Sequence, residues 1–400
     1  GIAGLELAYE DWLKGVPGKK KYIKDLHGEV VRDIGVLQPA LPGKDLTLSI
    51  DLRLQYLQHR ELRKAVTSIG AASGSVVTLD AHTGEILAMV NYPTYNPNST
   101  RGADPASMRN RAITDVYEPG STMKTLTLVA ALESGRFTTS TMIDTSPGRI
   151  RVGPKVYPDP RNYGLISVSR IIEKSSQVGT TKIALDLGHE PIREVFNRFG
   201  IGHAPGTGFP GESSGSLPDR ARWYATEKVS LAFGYGISAT PLQLARAYSV
   251  FANAGVQQPL SLLALEGESA PGERIISSQI AREVLGVLQA VTGDEGTARK
   301  ARVPGFAVGG KTGTVRKVGP QGYIADQYVA WFAGIAPIDD PRIVTVVVIN
   351  DPKGEAYGGG AVAAPVFSTI TQGALRLLNM APTETEELAA AAAAAAGGPA

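Results

Sequence analysis

Strand-like segments near opposite ends of this 400-residue chain constrain its fold more than any other feature. Apolar runs rich in β-branched residues occupy positions 75–80, 85–90, 306–314, 328–337 and 342–350. Helical patterns fill the stretch between them at positions 121–133, 167–187, 191–199, 241–254 and 278–291, and flank it at 51–69 and 361–378. We therefore predict an α+β domain in which one sheet joins the two ends of the chain.

The composition excludes several classes of function. The 40 Lys and Arg residues against 38 Asp and Glu leave a net charge of +2, which gives no electrostatic reason to expect a nucleic-acid partner. Without cysteine, the chain has no disulfide, no cysteine nucleophile and no cysteine metal ligand. Its five histidines are scattered without metal-ligand spacing, so we predict no metal and no cofactor.

The two ends of the chain differ from its middle. Residues 1–45 are charged and interrupted by glycine and proline, which indicates a small β-rich appendage with a solvated lysine edge; a membrane-surface patch is the alternative. Residues 381–400 contain an alanine run too short for a stable isolated helix, so we predict that they are disordered. The chain starts at Gly1 and contains no apolar run of membrane-spanning length, so we expect a processed or truncated product, and an anchor upstream stays open at this point.

Ser121-Thr-Met-Lys124 is the first of three motifs that carry candidate chemistry. It follows a Pro-Gly break and opens an apolar helical stretch, so Ser121 is expected at a helix N-terminus, where unpaired N–H groups favour negative charge. Lys124 lies over Ser121 on the same helix face. It can activate a serine nucleophile only if its pKa falls from about 10.4 towards neutrality. Taken alone, this short pattern is weak and favours a serine helix cap beside an exposed lysine.

The second motif is Lys-Thr-Gly-Thr at residues 311–314, entering a predicted strand. Lys311 is a candidate for a second cation that lowers the pKa of the first motif's lysine. Thr312 and Thr314 alternate onto one strand face, where their hydroxyls can hold a substrate carboxylate, and Gly313 lets a ligand approach the backbone. An ordinary strand lysine beside a glycine-rich turn is the alternative.

The third motif, Ser175-Ser-Gln177, is nearly uninformative alone. Residues two apart do not share a helix face, so Ser175 and Gln177 can both reach a cleft only from a turn between helices, which Gly179 would permit. In such a turn Ser175 can relay a proton and Gln177 can bind a substrate amide.

Together and in this order, the three motifs resemble those of the penicillin-interacting serine transpeptidases, S-x-x-K, S-x-N and K-T-G. Longer stretches are similar to class B penicillin-binding proteins, most of all to the division-specific penicillin-binding protein 3; these are residues 80–90, 110–112, 117–124 and 233–243. The resemblance implies a fold with an antiparallel five-stranded sheet, flanking helices and an all-helical subdomain. It places the transpeptidase domain at residues 46–380, after the remnant of a pedestal domain at residues 1–45.

The resemblance also implies an activity, that of a peptidoglycan D,D-transpeptidase or carboxypeptidase. Ser121 would attack the D-Ala–D-Ala bond of a stem peptide, release D-alanine and form an acyl-enzyme that a neighbouring stem's amine resolves into a cross-link. β-Lactams would acylate the same serine. The implied roles are base for Lys124, proton relay for Ser175, substrate contacts for Gln177, Lys311, Thr312, Gly313 and Thr314, and an oxyanion hole from the backbone N–H groups of Ser121 and Thr314.

The same resemblance implies a setting. It is the periplasmic face of the bacterial inner membrane, with divisome proteins and a glycosyltransferase as partners and with no nucleic acid.

One residue departs from the family pattern, because Gln177 stands where the family usually has Asn. Its amide lies one methylene further from the backbone, so we expect a changed profile of substrates or β-lactams, with activity retained.

Three other functions compete with this one. A non-catalytic β-lactam sensor or division scaffold would share the fold. A serine β-lactamase would need a deacylation base, and no acidic motif for one is evident between the first and third motifs. Residues 305–312 also match the phosphate-binding pattern G-x-x-x-x-G-K-[ST] of nucleotide hydrolases. Such a loop must open a helix, whereas residues 313–320 are poor helix formers.

Overall fold

The structure is a computed structural model that describes residues 1–99, 101–267 and 270–382. The disordered tail predicted at residues 381–400 lies outside the described residues from position 383 onward.

The predicted long helices and the five predicted strands are present, together with shorter elements that the sequence pattern did not indicate. The helices are α1 (Gly4–Ala8), α2 (Glu10–Leu13), α3 (Leu52–Ser68), α4 (Arg111–Thr114), α5 (Lys124–Glu133), α6 (Val168–Glu173), α7 (Gln177–Leu187), α8 (His189–Arg198), α9 (Ala225–Leu231), α10 (Pro241–Ala252), α11 (Ser278–Thr292), α12 (Gly359–Val362) and α13 (Ala364–Leu377). The strands are β1 (Lys19–Lys24), β2 (Val30–Gln38), β3 (Ser73–Asp80), β4 (Ile86–Tyr92), β5 (Met142–Asp144), β6 (Arg149–Val152), β7 (Lys155–Pro158), β8 (Leu165–Ser167), β9 (Val256–Gln257), β10 (Glu273–Arg274), β11 (Gly309–Gly319), β12 (Gly322–Ala336) and β13 (Ile343–Asn350). Single 3₁₀ turns lie at Pro105–Ser107, Gly120–Met123 and Arg299–Ala301.

The central sheet joins the two ends of the domain, as predicted. Its five antiparallel strands have the order β11-β12-β13-β3-β4, so the late strand β13 pairs with the early strand β3. Helices α3 and α13 pack together against the sheet, and so do α10 and α11. Every residue of β3 is buried, which requires the two helix pairs to cover opposite faces of the sheet. The antiparallel five-stranded sheet with flanking helices is therefore confirmed.

The part of the chain between β4 and β11 is mainly helical, but it also contains three short ribbons, β5 with β8, β6 with β7 and β9 with β10, so the predicted all-helical subdomain is not purely helical. The helix predicted at residues 167–187 is interrupted at residues 174–176, between α6 and α7. The turn between helices that was predicted for Ser175 and Gln177 is therefore present.

The N-terminal segment is an appendage of the domain. It holds two short helices and the ribbon β1–β2, and none of residues 1–48, all of which are described, is buried. No helix among the described residues has the length and apolar character needed to cross a bilayer.

The nucleotide-hydrolase alternative is wrong. The glycine-lysine-threonine segment that matched its pattern continues as strand β11, paired with β12 over residues 309–319. A phosphate-binding loop would instead open a helix at this point.

Candidate active site

Ser121 lies at the N-terminal end of a buried helix, as expected, but within a 3₁₀ turn. The turn Gly120–Met123 runs directly into α5, and α5 is buried at every position from Lys124 to Ala131. A helix buried in the core in this way is held in place by its packing. Ser121, just before its N-terminus, is only partly buried. The hydroxyl of Ser121 therefore stands at a rigid helix terminus next to accessible space.

Lys124 is completely buried, which contradicts the alternative of a helix cap beside an exposed lysine. Its Nζ donates to the carbonyl oxygen of Ser175 at 2.6 Å and to the Ser175 hydroxyl at 3.2 Å. Burial lowers the pKa of Lys124 to about 7, although the negative charge of Asp159 acts in the opposite direction. A large fraction of Lys124 is therefore uncharged near neutral pH and able to accept a proton.

Lys311 supplies a second buried amine beside the first. Its Nζ donates to the Ser175 hydroxyl at 3.1 Å and to the carbonyl oxygen of Thr312 at 3.2 Å. Burial, followed by repulsion from Lys124, holds the pKa of Lys311 well below its ordinary value. The second amine predicted from the sequence is present, but burial is what lowers the pKa of Lys124, so the prediction that Lys311 lowers it is not supported.

Strand β11 packs directly against the turn that carries Ser121. A Cβ atom on Gly313 would lie 2.7 Å from the carbonyl oxygen of Pro119 and 3.1 Å from Cγ2 of Thr122. A Cβ atom on Gly120 would overlap Cγ1 of Val315. Glycine at both positions thus lets strand and turn touch. Sequence reasoning assigned Gly313 to ligand approach, whereas the structure first assigns it to this internal contact.

The two threonines of the second motif have partners that the sequence did not predict. The Thr312 and Thr297 hydroxyl oxygens are 3.3 Å apart, and the Thr314 hydroxyl accepts a hydrogen bond from the Gly359 N–H at 2.9 Å. Both threonines project from the same face of β11, since they are two residues apart on a strand. Their contacts with a substrate carboxylate stay a prediction.

The third motif forms a strained turn that reaches both lysines. Ser175 has a φ of 56°, a left-handed conformation that is uncommon for a residue with a side chain. Ser176 caps helix α7 by accepting a hydrogen bond from the N–H of Gly179 at 2.9 Å, and Gln177 is the first residue of that helix. Gly179 is not the turn residue that the sequence suggested. It lies in the first turn of α7, where a Cβ would come within 2.5 Å of Ile171.

Asp159 is a component of the site that sequence reasoning missed. It is 8% exposed, and its two carboxylate oxygens accept hydrogen bonds from Ser176, Gln177 and Val178. An isolated Pro-Asp-Pro sequence in a loop was its only signal, and it indicates no more than a turn. Asp159 lies between the first and third motifs, but its partners are 17–19 residues further along the chain. No local acidic pattern therefore marks it in the sequence.

Lys174 braces the same turn from its other side, and sequence reasoning missed this contact too. Its Nζ donates to Glu295 Oε2 at 2.9 Å and also to the carbonyl oxygen of Glu295. Glu295 belongs to the loop that follows α11, and Thr297 of that loop reaches Thr312 of the second motif. The loop therefore connects the turn of Ser175 with strand β11.

Glu118 lies shortly before the first motif and joins it to neighbouring elements. Its carboxylate accepts hydrogen bonds from the Gly236 N–H at 2.7 Å and from the Tyr323 hydroxyl at 3.0 and 3.1 Å. Desolvation raises the pKa of Glu118 above its ordinary value. These bonds join the turn of Ser121 to the β11–β12 hairpin.

The assembled groups are those of an acyl-transfer site. A serine hydroxyl stands at a helix mouth, a lysine one turn away is largely uncharged at neutral pH, and a second serine hydroxyl connects that lysine to another amine. The structure thus brings Lys124, Ser175 and Lys311 into contact, and it places the turn of Ser121, the start of α7 at Gln177 and strand residues 311–314 next to them. Their individual roles stay predictions.

Two family models match the chain. The Penicillin binding protein transpeptidase domain matches residues 74–372, and the Penicillin-binding Protein dimerisation domain matches residues 1–48.

Curated relatives are similar along nearly the whole chain. Peptidoglycan D,D-transpeptidase FtsI of Escherichia coli (strain K12) is 42% identical over 382 residues, which cover 96% of this chain and 64% of the relative. A probable peptidoglycan D,D-transpeptidase, PbpC of Pseudomonas aeruginosa, is 40% identical over 390 residues, which cover 98% of this chain and 69% of the relative. The chain thus spans less than two thirds of the length of the E. coli protein.

A solved structure shares the fold. The apo TP domain of penicillin-binding protein 3 from Burkholderia pseudomallei superposes with a TM-score of 0.78 at 38% sequence identity. The match covers 86% of this chain and 99% of that domain.

Proposed function

Because the chain belongs to the penicillin-binding protein transpeptidase family, we propose that it is a peptidoglycan D,D-transpeptidase that works through a serine acyl-enzyme and is inhibited by β-lactams. One observation carries the proposal. The hydroxyl of Ser175 lies within hydrogen-bond distance of two fully buried amines, and the pKa of one of them, one turn from Ser121, is about 7. A buried lysine of this kind is suited to deprotonating a serine.

In the proposed acylation step, uncharged Lys124 takes the proton from the Ser121 hydroxyl as the oxygen attacks the carbonyl carbon between the two D-alanines. The N–H groups of Ser121 and Thr314 are proposed to stabilise the resulting oxyanion. The contact between β11 and the turn of Ser121 supports this pairing, because it holds the two backbones together. The carbon–nitrogen bond then breaks, and Ser121 keeps the acyl group.

The leaving nitrogen needs a proton, which Lys124 now holds. The hydrogen bond from Lys124 to the Ser175 hydroxyl supports a relay in which Ser175 passes one proton to the departing D-alanine and receives one from Lys124. In deacylation the incoming amine loses a proton along the same route in reverse, attacks the acyl carbon and frees the Ser121 oxygen, which regains a proton.

Substrate binding is proposed for the second and third motifs. A terminal carboxylate would be held by Lys311 and by the hydroxyls of Thr312 and Thr314. The buried position of Lys311 supports this role, because an arriving anion would stabilise its charged form. Gln177, partly exposed at the start of α7, would hold a peptide amide.

The setting proposed from the similarity to FtsI is septal cell-wall synthesis on the periplasmic face of the inner membrane. Divisome proteins and a glycosyltransferase are the proposed partners. We also propose that residues 1–45 are the remnant of a pedestal domain and that residues 46–380 are the transpeptidase domain. The match of the dimerisation-domain model to residues 1–48 supports that division.

Covalent labelling tests the proposed chemistry directly. Incubation with a fluorescent penicillin should add one label per chain, located on Ser121 by peptide mapping. Ser121→Ala should remove the label, whereas Ser68→Ala, at an exposed position on α3, should retain it. A label on another side chain would contradict the proposal.

Turnover separates the transpeptidase from the alternatives. Incubation with a stem-peptide donor and an amine acceptor should give cross-linked product that depends on Ser121. A long-lived penicillin adduct without cross-linking would indicate a sensor or scaffold. Rapid hydrolysis of the drug would indicate a β-lactamase.

A further inference from the structure

A carboxylate outside the three motifs holds the third motif in place. We propose that Asp159 is a positioning residue of this site: it fixes the turn that carries Ser175 and Gln177, and its negative charge acts on Lys124. The proposal rests on the proposed function, because it assigns Asp159 a part in preparing the acylation step.

The contacts of Asp159 converge on one short segment. Oδ2 accepts from the Ser176 hydroxyl at 2.6 Å, and Oδ1 accepts from the N–H of Gln177 at 2.5 Å and of Val178 at 3.3 Å. The last two are the first N–H groups of α7, which the helix itself leaves unpaired. A carboxylate at this position also interacts favourably with the helix dipole.

The turn needs such an anchor because it is strained. Ser175 adopts a left-handed backbone conformation, which is unfavourable for a residue with a side chain and persists only where surrounding contacts impose it. Asp159 fixes the residue directly after Ser175, and Lys174, directly before it, is held by Glu295. The hydroxyl of Ser175 is thereby kept within reach of Lys124 and Lys311.

The charge of Asp159 has a second effect. The ionisable group whose charge acts on Lys124 from a neighbouring element is Asp159, after β7. Lys311 on β11 also faces Lys124, and there the effect is that of Lys124 on the pKa of Lys311. Glu173 and Lys174, at the end of α6, are engaged with Arg170 and Glu295 instead. Burial lowers the pKa of Lys124, and Asp159 limits that decrease. Asp159 therefore keeps the pKa of Lys124 closer to neutral pH. At such a pKa the amine can both accept a proton and release it.

The substitution Asp159→Asn tests both effects. It keeps one carbonyl acceptor, but it replaces the other oxygen with an amide donor and removes the charge. We expect the acylation rate at its pH plateau to fall roughly tenfold, because a misplaced relay is costly. Without the negative charge the pKa of Lys124 falls, so the acid limb of the rate–pH profile should move to lower pH by about one unit.

Acylation by a fluorescent penicillin is measured between pH 5 and pH 9, with the fully labelled fraction reporting the amount of folded enzyme in each preparation. Asp159→Glu, which keeps the charge, should retain the wild-type acid limb. Glu295→Gln removes a carboxylate at an exposed position on the other side of the turn and should also leave that limb unmoved.

The outcomes separate this proposal from the proposed function. Failure of the wild-type protein to label at Ser121 would overturn both. Normal wild-type labelling with an unmoved acid limb in Asp159→Asn would overturn the proposal for Asp159 alone, even if the plateau rate fell, because a purely structural residue lowers the rate without changing the pKa of the base. An equal shift in Glu295→Gln would overturn it as well.

Discussion

At the scale of single residues, the feature that matters most is the burial of two lysine side chains side by side. Both Lys124 and Lys311 are fully buried, and their closest polar neighbour in common is the Ser175 hydroxyl. Burial disfavours the charged form of both amines, and the neighbouring Lys124 disfavours that of Lys311 further. Environment thus converts Lys124, an ordinary strong base, into a group that exchanges protons near neutral pH.

Gln177 provides a residue-scale prediction. Its backbone is fixed by Asp159, so the longer side chain places its amide one methylene further into the cleft than asparagine would. Gln177→Asn should change the acylation rate constants unequally across a panel of penicillins and cephalosporins, by roughly tenfold for some, because a hydrogen bond to the drug amide is displaced. Equal rate constants for wild type and variant across the panel would contradict this. Gln279→Asn, at an exposed position on α11, is the control and should change none of them.

At the scale of elements, the site is the junction of a strand, a 3₁₀ turn and an interhelical turn. Strand β11 carries Lys311 and the proposed oxyanion N–H of Thr314, whereas the turn Gly120–Met123 carries Ser121. The two elements touch where glycine leaves room for backbone contact. Their separation, and hence the geometry proposed for catalysis, depends on the absence of a single methyl group.

Gly313→Ala should force these two elements apart. The added methyl would meet the carbonyl oxygen of Pro119 at 2.7 Å, so we expect a loss of about 1–3 kcal/mol in the free energy of unfolding. Acylation should slow by at least roughly tenfold, because the oxyanion donors move away from Ser121. Urea unfolding and penicillin labelling measure the two effects.

The matched control is Gly286→Ala. Gly286 lies within α11, and among the described residues no atom outside its own helical backbone lies within 4 Å of the position that the added methyl would take. The free energy of unfolding should therefore rise by about 0.5–1 kcal/mol, since alanine favours a helix over glycine, and the labelling rate should not change. A Gly313→Ala enzyme that labels at the wild-type rate would show that strand and turn tolerate separation.

At the scale of the whole molecule, the sheet ties together residues that are far apart in sequence. Strands β3 and β13 pair along their length, and helices from both parts of the chain cover the two faces. The N-terminal segment lies outside this arrangement, because none of its residues through position 48 is buried. Its links to the rest of the described residues are peripheral, such as the contact of the partly buried Leu5 with the hydrophobic core.

Removal of residues 1–44 should therefore leave the rest of the protein folded. We expect the melting temperature to change by less than about 5 °C, because little apolar surface is exposed by the cut. The rate of penicillin labelling should equal that of the full chain. A larger drop in melting temperature, or loss of labelling, would show that this segment belongs to the same folding unit.

The sequence alone determined the local features of this protein. Alternation and apolar runs predicted the five strands of the central sheet and the longer helices, but not the short strands β5–β10 or the short helices α4 and α9. Three short motifs named residues that the fold brings close together. These signals are readable because hydrophobic periodicity and glycine placement act over a few neighbouring residues. The pairing of early and late strands was also predicted, because strands at both ends of one compact domain need a common sheet.

Only the tertiary structure decided the chemistry of the two lysines and the identity of their supports. Whether Lys124 is charged depends on burial and on Asp159, and neither can be seen in a four-residue motif. The left-handed Ser175 and the partners of Lys174 come from segments that meet only after folding. The physical reason is the range of the forces involved: a pKa responds to every charge and every excluded water nearby in space, whereas a sequence pattern records only what is nearby along the chain.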